Sequence, residues 1–179
     1  YNTFKGMCED VLWRYQATGF TTVSVRPATI CGRSPRQRLD LTVNILTAHA
    51  VERGVITVFG GSQQRPNLHM ADIVDLYQRM LELPDADIAG EAFNAGYQND
   101  TVARIAAIVK QVVEREMPER GPIRVETTES NDPRSYRINT DKIRTRLGFV
   151  PQHTIEDAVR DLMTRPLCSE EVYFAEWPT

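Results

Sequence analysis

Tyr1 and Lys5 are the pair of residues whose types and spacing could carry out proton transfer. Side chains four residues apart are neighbours on one face of an α-helix. An ammonium group beside a phenol favours the phenolate and lowers the phenol pKa from about 10 towards neutrality, as a proton-transferring Tyr requires. Taken alone, this spacing is more often an exposed Tyr and Lys on an amphipathic helix, so its interpretation depends on the residues that follow.

His69 and Asp72 could take part in acid/base chemistry or bind a metal, but a structural His in a strand and an Asp that caps the next helix explain them better. The three cysteines are widely spaced and form no CxxC motif, and no histidine cluster accompanies them. We therefore predict no metal site, and the odd number of cysteines favours a reducing compartment.

Composition limits the classes of partner. The chain has 179 residues, 41% of them apolar and 25% charged, which is typical of a globular domain. A net charge of −3 gives no general attraction for nucleic acid or acidic lipid, and Arg33, Arg36 and Arg38 lack the interleaved aromatic residues of an RNA-binding surface. No apolar run is long enough to span a membrane and no signal peptide is evident, so we expect a cytoplasmic protein.

Hydrophobic spacing and turn residues predict alternating helices and strands, and hence the α/β class. Helices are predicted at residues 1–18, 41–53, 72–83, from about Asp100, at 140–147 with Thr140 as cap, and at 154–163 with Thr154 as cap. Strands are predicted at residues 21–26, 55–59, 68–70, 91–95 and 123–127. No glycine-rich turn of the kind that binds a dinucleotide follows a first strand.

The segment from Tyr1 to Gly32 resembles a known family. Tyr1-Asn-Thr-Phe-Lys5, Glu9, Gly19 and Val25-Arg-Pro-Ala-Thr-Ile-Cys-Gly32 follow the order of the extended short-chain dehydrogenases/reductases. The resemblance implies that Tyr1 is the general acid/base and that Lys5 lowers its pKa and binds the nicotinamide ribose. It also places Pro27 and Ala28 beside the nicotinamide, although a plain turn after a strand explains them as well.

A second motif resembles the nucleotide-sugar branch of that family. Gln63 and Arg65 follow a glycine turn, and His69-Met-Ala-Asp72 stands where a His-Val-x-Asp step is usual. The resemblance implies that Arg65 binds the diphosphate of a nucleotide sugar, which suits a planar and permanently charged guanidinium. It also implies that Asn44 lines the nucleotide pocket, unless Asn44 lies on the solvated face of its helix.

A third motif runs from Asp132-Pro-Arg134-Ser-Tyr136 to the turn Leu147-Gly-Phe-Val-Pro151. The resemblance implies that Arg134 is a second residue binding the diphosphate. Taken together, the motifs predict the carboxyl-terminal part of a Rossmann-type extended short-chain dehydrogenase/reductase with a small α/β substrate-binding domain. The expected division is residues 1–32 for the last Rossmann elements, 33–165 mainly for substrate binding with some elements returning to the Rossmann sheet, and 166–179 for a tail.

The family's glycine-rich loop, its acidic ribose-binding residue and the Ser/Thr that precedes the Tyr do not occur in this sequence. We therefore expect a part of a longer enzyme that is inactive alone. The resemblance implies an NAD- or NADP-dependent enzyme that oxidises a nucleotide sugar transiently, with epimerase as the first choice and a homodimer formed through the helix at residues 1–18. The alternatives are a dehydratase or reductase on the same scaffold, or a non-catalytic member that binds RNA or protein.

Overall fold

The computed structural model describes residues 2–129 and 134–164. The helices in this part of the chain are α1 Asn2–Gln16, α2 Thr42–Arg53, α3 Met70–Glu82, α4 Asp85–Ile88, α5 Val102–Glu116, α6 Asp141–Leu147 and α7 Ile155–Met163, with a 3-10 turn at Pro118–Arg120. The strands are β1 Val23–Pro27, β2 Thr29–Cys31, β3 Val55–Phe59, β4 Gln64–His69, β5 Glu91–Ala95, β6 Gln98–Thr101 and β7 Arg124–Thr128. The α/β class is confirmed.

The strands pair into three small sheets. β1 lies parallel to β5, and β3 lies parallel to β7. β4 lies between β2, which is parallel to it, and β6, which is antiparallel to it. Parallel strands carry their carboxyl ends to the same edge of a sheet, where ligands bind in open α/β folds.

Two clusters of buried apolar side chains hold these layers together. The first joins α2, β3, α5 and α7 and is formed by residues such as Leu46, Ile56, Ile105, Val109 and Leu162. The second joins β1, β5, α3 and α6 and is formed by residues such as Ala28, Leu76, Phe93, Ile143 and Phe149. Elements on both sides of residue 32 thus share one core, while the predicted domain boundary itself stays a prediction.

Polar strands account for the main differences from the predicted elements. β4 begins four residues earlier than predicted, and β6 lies where no strand was predicted. β6 is stabilised by contacts with distant segments: Gln98 Oε1 accepts a hydrogen bond from Ile155 N at 2.6 Å, and both ends of the Asn99 amide bond the backbone of Ile138. Hydrophobic alternation cannot reveal a strand that depends on such bonds. The short α4 was not predicted.

Helix ends follow the predicted caps in part. Thr154 forms a capping box with Asp157, as predicted for a cap at this position. The cap of α5 is Thr101 rather than Asp100, because the Thr101 hydroxyl accepts from Arg104 N at 3.2 Å. Thr140 occupies the cap position of α6 without a side-chain hydrogen bond there, and Asn139 Oδ1 accepts from Asp141 N instead.

The two threonine caps give a matched test. Thr154→Ala removes an acceptor for a backbone N–H, so we expect a loss of about 1 kcal/mol in the free energy of unfolding. Thr140→Ala removes no such bond, and its effect should be below about 0.5 kcal/mol. Urea denaturation of both variants measures the difference, and equal effects would contradict the assignment of Thr154 as the functional cap.

Candidate substrate and cofactor site

Helix α1 lies antiparallel to β1. Thr22 N, just before the strand, donates to Gln16 Oε1 at 2.8 Å, whereas Arg26, near the end of the strand, makes a bidentate ion pair with Glu9. The hydrogen bond from Arg26 lowers the pKa of the Glu9 carboxyl. Because α1 runs against the strand, Lys5, one turn before Glu9, lies nearer than Glu9 to the end of the helix that faces the carboxyl end of β1.

Pro27 and Ala28 stand at the carboxyl end of β1. Pro27 is exposed, and Ala28 is buried with its N–H donated to the Ala95 carbonyl at 2.7 Å. Pro has no N–H of its own. Pro27 therefore offers an exposed apolar surface at this end of the strand, and Ala28 is fixed beneath it by its backbone hydrogen bond. Tyr1 lies outside the described residues.

A cavity of about 160 Å³ brings together residues from both substrate-binding motifs. Its walls are formed by strand β2, the start of α2, strand β4 and the segment after residue 133. The lining residues are Thr29, Asp40, Leu41, Thr42, Arg65, Arg134 and Tyr136. The structure thus places Arg65 and Arg134, separated by almost seventy residues in the sequence, against one cavity.

Direct hydrogen bonds join β4 to the segment 134–136. Gln64 N donates to Ser135 Oγ at 2.9 Å, and Arg65 Nη1 donates to the Arg134 carbonyl at 2.5 Å. The Arg65 guanidinium also lies 5.8 Å from the centroid of the Tyr136 ring, within cation–π range. The position of one arginine is therefore coupled to the position of the other.

Helix α2 begins at the wall of this cavity. Its N-cap residue, Leu41, makes no side-chain cap, and the first turn contains no acidic residue. The amino-terminal end of a helix carries a partial positive charge and N–H groups that need acceptors. Asp40 stands just before it, and its hydrogen bonds with Arg38 lower the Asp40 pKa, so this wall also carries a carboxylate.

Asn44 is only 2% exposed, so the alternative that it lies on a solvated helix face is wrong. Its Oδ1 accepts from Gly32 N at 3.2 Å, and its Nδ2 donates to the Arg38 carbonyl at 2.8 Å. Asn44 therefore holds the loop between β2 and α2. Direct contact of Asn44 with a nucleotide stays a prediction.

His69 is a structural residue at the end of strand β4, as predicted, whereas the prediction that Asp72 caps the next helix is wrong. His69, not Asp72, caps α3, because its Nδ1 accepts from Ala71 N at 3.1 Å. Asp72 is 3% exposed and accepts hydrogen bonds from the backbone N–H groups of Gln152 and His153 at 3.0 and 3.1 Å. Asp72 fixes the turn before α7 instead of capping its own helix.

Sequence reasoning missed most of the cavity wall. Asp40, Leu41 and Thr42 became recognisable only once the start of α2 was placed, because the helix predicted at residues 41–53 puts Asp40 at the cap position, whereas the structure puts Leu41 there. Tyr136 was part of a quoted motif but was given no role. Thr29 follows the Pro27-Ala28 pair directly and reaches the cavity through the pairing of β2 with β4.

No helix within residues 2–129 and 134–164 is both long and apolar enough to cross a bilayer. No group of three or more His, Cys, Asp or Glu side chains in the same range is arranged to hold a metal ion.

The buried amide of Asn44 can be tested by substitution. Asn44→Ala leaves Gly32 N and the Arg38 carbonyl without their partner, so we expect the free energy of unfolding to fall by about 1–3 kcal/mol. Asn94→Ala is the control, since Asn94 makes a single exposed bond, 3.3 Å long, to the Asn139 carbonyl. Urea denaturation measures both, and an Asn44 variant as stable as the control would show that the amide does not hold the loop.

The sequence and the structure were compared with known proteins. Residues 1–96 match the model of the NAD dependent epimerase/dehydratase family. The chain is 30% identical over 125 residues to the dTDP-glucose 4,6-dehydratase of Shigella flexneri, an alignment covering 66% of this chain and 34% of that protein. A dTDP-glucose 4,6-dehydratase of Escherichia coli gives the same values. The chain thus spans about a third of the length of these relatives.

Solved structures share the fold. A UDP-glucose 4-epimerase from Thermotoga maritima, solved with UDP-glucose, has a TM-score of 0.72 at 22% identity, covering 90% of this chain and 52% of that one. A UDP-glucuronic acid 4-epimerase from Bacillus cereus, solved with UDP-glucuronic acid and NAD, has a TM-score of 0.69 at 21% identity, with 86% and 48% covered. The predicted Rossmann-type fold of the extended short-chain dehydrogenases/reductases is confirmed, and the chain belongs to the NAD dependent epimerase/dehydratase family.

Proposed function

We propose that this chain supplies the Tyr-bearing helix and the substrate-binding part of an NAD(P)-dependent enzyme that acts on a nucleotide sugar, with epimerisation as the first choice of reaction. The observation that carries the proposal is the convergence of Arg65, Arg134 and the uncapped start of α2 on one cavity. All three are sources of positive potential.

The two arginines and the start of α2 favour a phosphate or diphosphate group. Guanidinium groups present N–H pairs that match phosphate oxygens, and their charge is independent of pH in the physiological range. The start of a helix adds N–H donors and a partial positive charge. Because Arg65 is already fixed by the Arg134 carbonyl, little reordering of that side chain is needed when an anion binds.

Other residues that line the cavity favour hydroxyl groups. Asp40 remains a carboxylate, which only accepts hydrogen bonds, and Thr29 and Thr42 offer hydroxyls that donate or accept. A ligand with a doubly charged linker and several hydroxyls matches both the arginines and these acceptors and donors. Nucleotide sugars have this combination, and two of the structural neighbours were solved with such molecules.

Two residues of the described part fit the nicotinamide end of a dinucleotide. Pro27 and Ala28 present apolar groups with no spare N–H, as a flat ring requires, and Lys5 lies on the helix turn nearest to this segment. Beside these residues a nicotinamide would supply a reversible hydride acceptor for a sugar carbon. Tyr1 would remove and restore the proton of the reacting hydroxyl, with the Lys5 ammonium favouring its phenolate form.

The same proposal covers the assembly of the enzyme. Residues 1–32 would complete a Rossmann domain and residues 33–165 would mainly bind substrate, in a cytoplasmic protein. Helix α1 exposes a set of apolar side chains, Phe4, Met7, Val11, Trp13 and Tyr15. Exposed apolar surface of this kind supports a partner for the helix, and we propose a second copy of the protein.

Substitution of the arginines tests the substrate site. Lys keeps the charge but lacks the planar fork, so Arg65→Lys and Arg134→Lys should each raise the Kd for UDP-glucose or dTDP-glucose about 10- to 100-fold. Arg104→Lys on the exposed side of α5 is the matched control and should leave the Kd unchanged. Isothermal titration calorimetry measures the Kd of all three variants. If Arg104→Lys weakened nucleotide-sugar binding as much as the other two, the assignment of Arg65 and Arg134 to the substrate site would be contradicted.

Titration with dinucleotides tests whether the 179-residue chain binds the cofactor by itself. We expect the 179-residue chain alone to show no saturable binding of NAD or NADP and no turnover, because it contains no glycine-rich turn to hold the dinucleotide phosphates. Calorimetric titration with each dinucleotide measures this, and saturable binding would overturn the expectation. In a longer form of the protein that does turn over, product analysis separates epimerase, dehydratase and reductase activity.

A further inference from the structure

A cluster of titratable side chains surrounds the buried residues His69 and Asp72. We call it the His69 cluster; its members are His69, Asp72, His153, Asp157 and Asp161. The rings of His69 and His153 stack at 4.7 Å between centroids, and His153 Nδ1 lies 2.8 Å from Asp72 Oδ1. His69 itself is 6% exposed, whereas the His153 side chain is 44% exposed.

His69 is fixed in one neutral tautomer. Its Nδ1 accepts the hydrogen bond from Ala71 N, so the ring proton is on Nε2. That Nε2 is buried and has no hydrogen-bond partner, and the Asp161 carboxylate lies 3.9 Å away, beyond hydrogen-bond distance. A second proton could be added only at Nδ1, where it would replace the capping bond.

The cluster is connected to the loop that forms the cavity wall. Asp161 Oδ2 accepts from Arg33 N at 3.0 Å, and the His69 ring packs directly on Gly32, where a Cβ atom would come within 3.0 Å of Nε2. Gly32 has a φ of +94°, which favours glycine, so this close approach is built into the backbone. The loop continues from Arg33 to Asp40, which lines the cavity.

Charges from every packed element act on His69. Asp72 of α3, and Asp157 and Asp161 of α7, favour its protonation, whereas burial and His153 oppose it. Burial is the largest effect and lowers the His69 pKa below its ordinary value. Cys31 of the neighbouring β2 stays an uncharged thiol, because burial raises its pKa to about 12.

We propose that His69 is a positioning residue whose neutral form holds the loop from Gly32 to Asp40 in place, and whose protonation releases that loop and weakens substrate binding. The regulatory part of this inference rests on the function proposed above, while the movement of the loop does not. A proton bound at Nδ1 leaves Ala71 N without its acceptor. The resulting imidazolium pairs with Asp161 and draws this carboxylate away from Arg33 N.

The direction of the pH effect follows from linkage. In the held form, His69 is neutral, keeps the loop in place and has a lowered pKa; in the released form, the loop is free. The released form therefore binds more protons, and its population rises as pH falls below the ordinary His value of about 6.5. Once the released form predominates, the apparent Kd for substrate rises by up to about tenfold for each further unit that the pH falls. The reason is that the fraction of protein in the held form, which binds substrate, falls by the same factor. Above the ordinary value the effect is absent.

Amide resonances measure the loop directly. In the protein, the backbone amide signals of Arg33 and Ala71 should shift together between about pH 8 and 5.5, with a midpoint below the ordinary His value. His69→Asn keeps a cap for Ala71 N but cannot titrate, so the shared transition should disappear. His49→Asn, on α2 and outside the cluster, should retain it. Persistence of the transition in His69→Asn would assign it to His153 and overturn the proposal.

A second variant covers the case in which His69→Asn does not fold. Asp161→Asn leaves an amide oxygen that accepts from Arg33 N but carries no charge to pair with an imidazolium. The Arg33 signal should then lose its pH dependence, while Ala71 keeps its own. Unchanged pH dependence at Arg33 would contradict the link through Asp161.

Binding of UDP-glucose separates this inference from the proposed function. Its diphosphate stays fully ionised over this pH range, so any steep change in Kd comes from the protein. We expect the Kd of the unaltered protein and of His49→Asn to rise more steeply on acidification than that of His69→Asn. Equal slopes would overturn the positioning role and leave the substrate site intact, whereas no binding at any pH would overturn the substrate site and leave the amide test of the loop to stand.

Discussion

Strand β4 is hydrogen-bonded along both edges, to β2 on one side and to β6 on the other. A strand fixed in this way cannot slip by one residue without sending every side chain to the opposite face. Its alternation places Leu68 in the core shared with β1 and β5. Arg65 and His69 are then confined to the other face, one at the cavity and one behind the cavity loop. The pairing of β4 therefore determines the positions of the Arg65 guanidinium and the His69 imidazole.

The cavity brings two guanidinium groups into one small space that also contains the Asp40 carboxylate. Arg65 and Arg134 would repel each other if both were simply placed in a small space, since like charges a few ångströms apart interact strongly away from bulk water. The structure limits this cost through neutral acceptors: the carbonyls of Gln64 and Arg134 receive N–H groups of Arg65, and Tyr136 offers its ring face. An anion entering the cavity meets donors that are already oriented.

The sequence predicted some of these features and not others, for physical reasons. β3 and β5 were placed with their observed bounds because their apolar residues are typical of buried strands. Arg65 and Arg134 came from motif resemblance, and their convergence could not be derived from spacing because it depends on how distant segments pack. Asn44 and Asp72 were misjudged in part, since polar residues that bond backbone groups across the fold leave no periodic signal.

The two cores interleave along the chain, and this has a consequence for how the protein acquires its structure. Ala28 shares a core with Ile143 and Phe149, and Cys31 shares the other with Leu162. Contacts over such long sequence separations are slow to form, because a large loop must close before any of them contributes. During synthesis, the first core cannot be completed before α7 is made, and the second cannot be completed before α6 is made. Until then the apolar faces that these helices cover stay exposed, and exposed apolar surface on an incomplete fold favours aggregation.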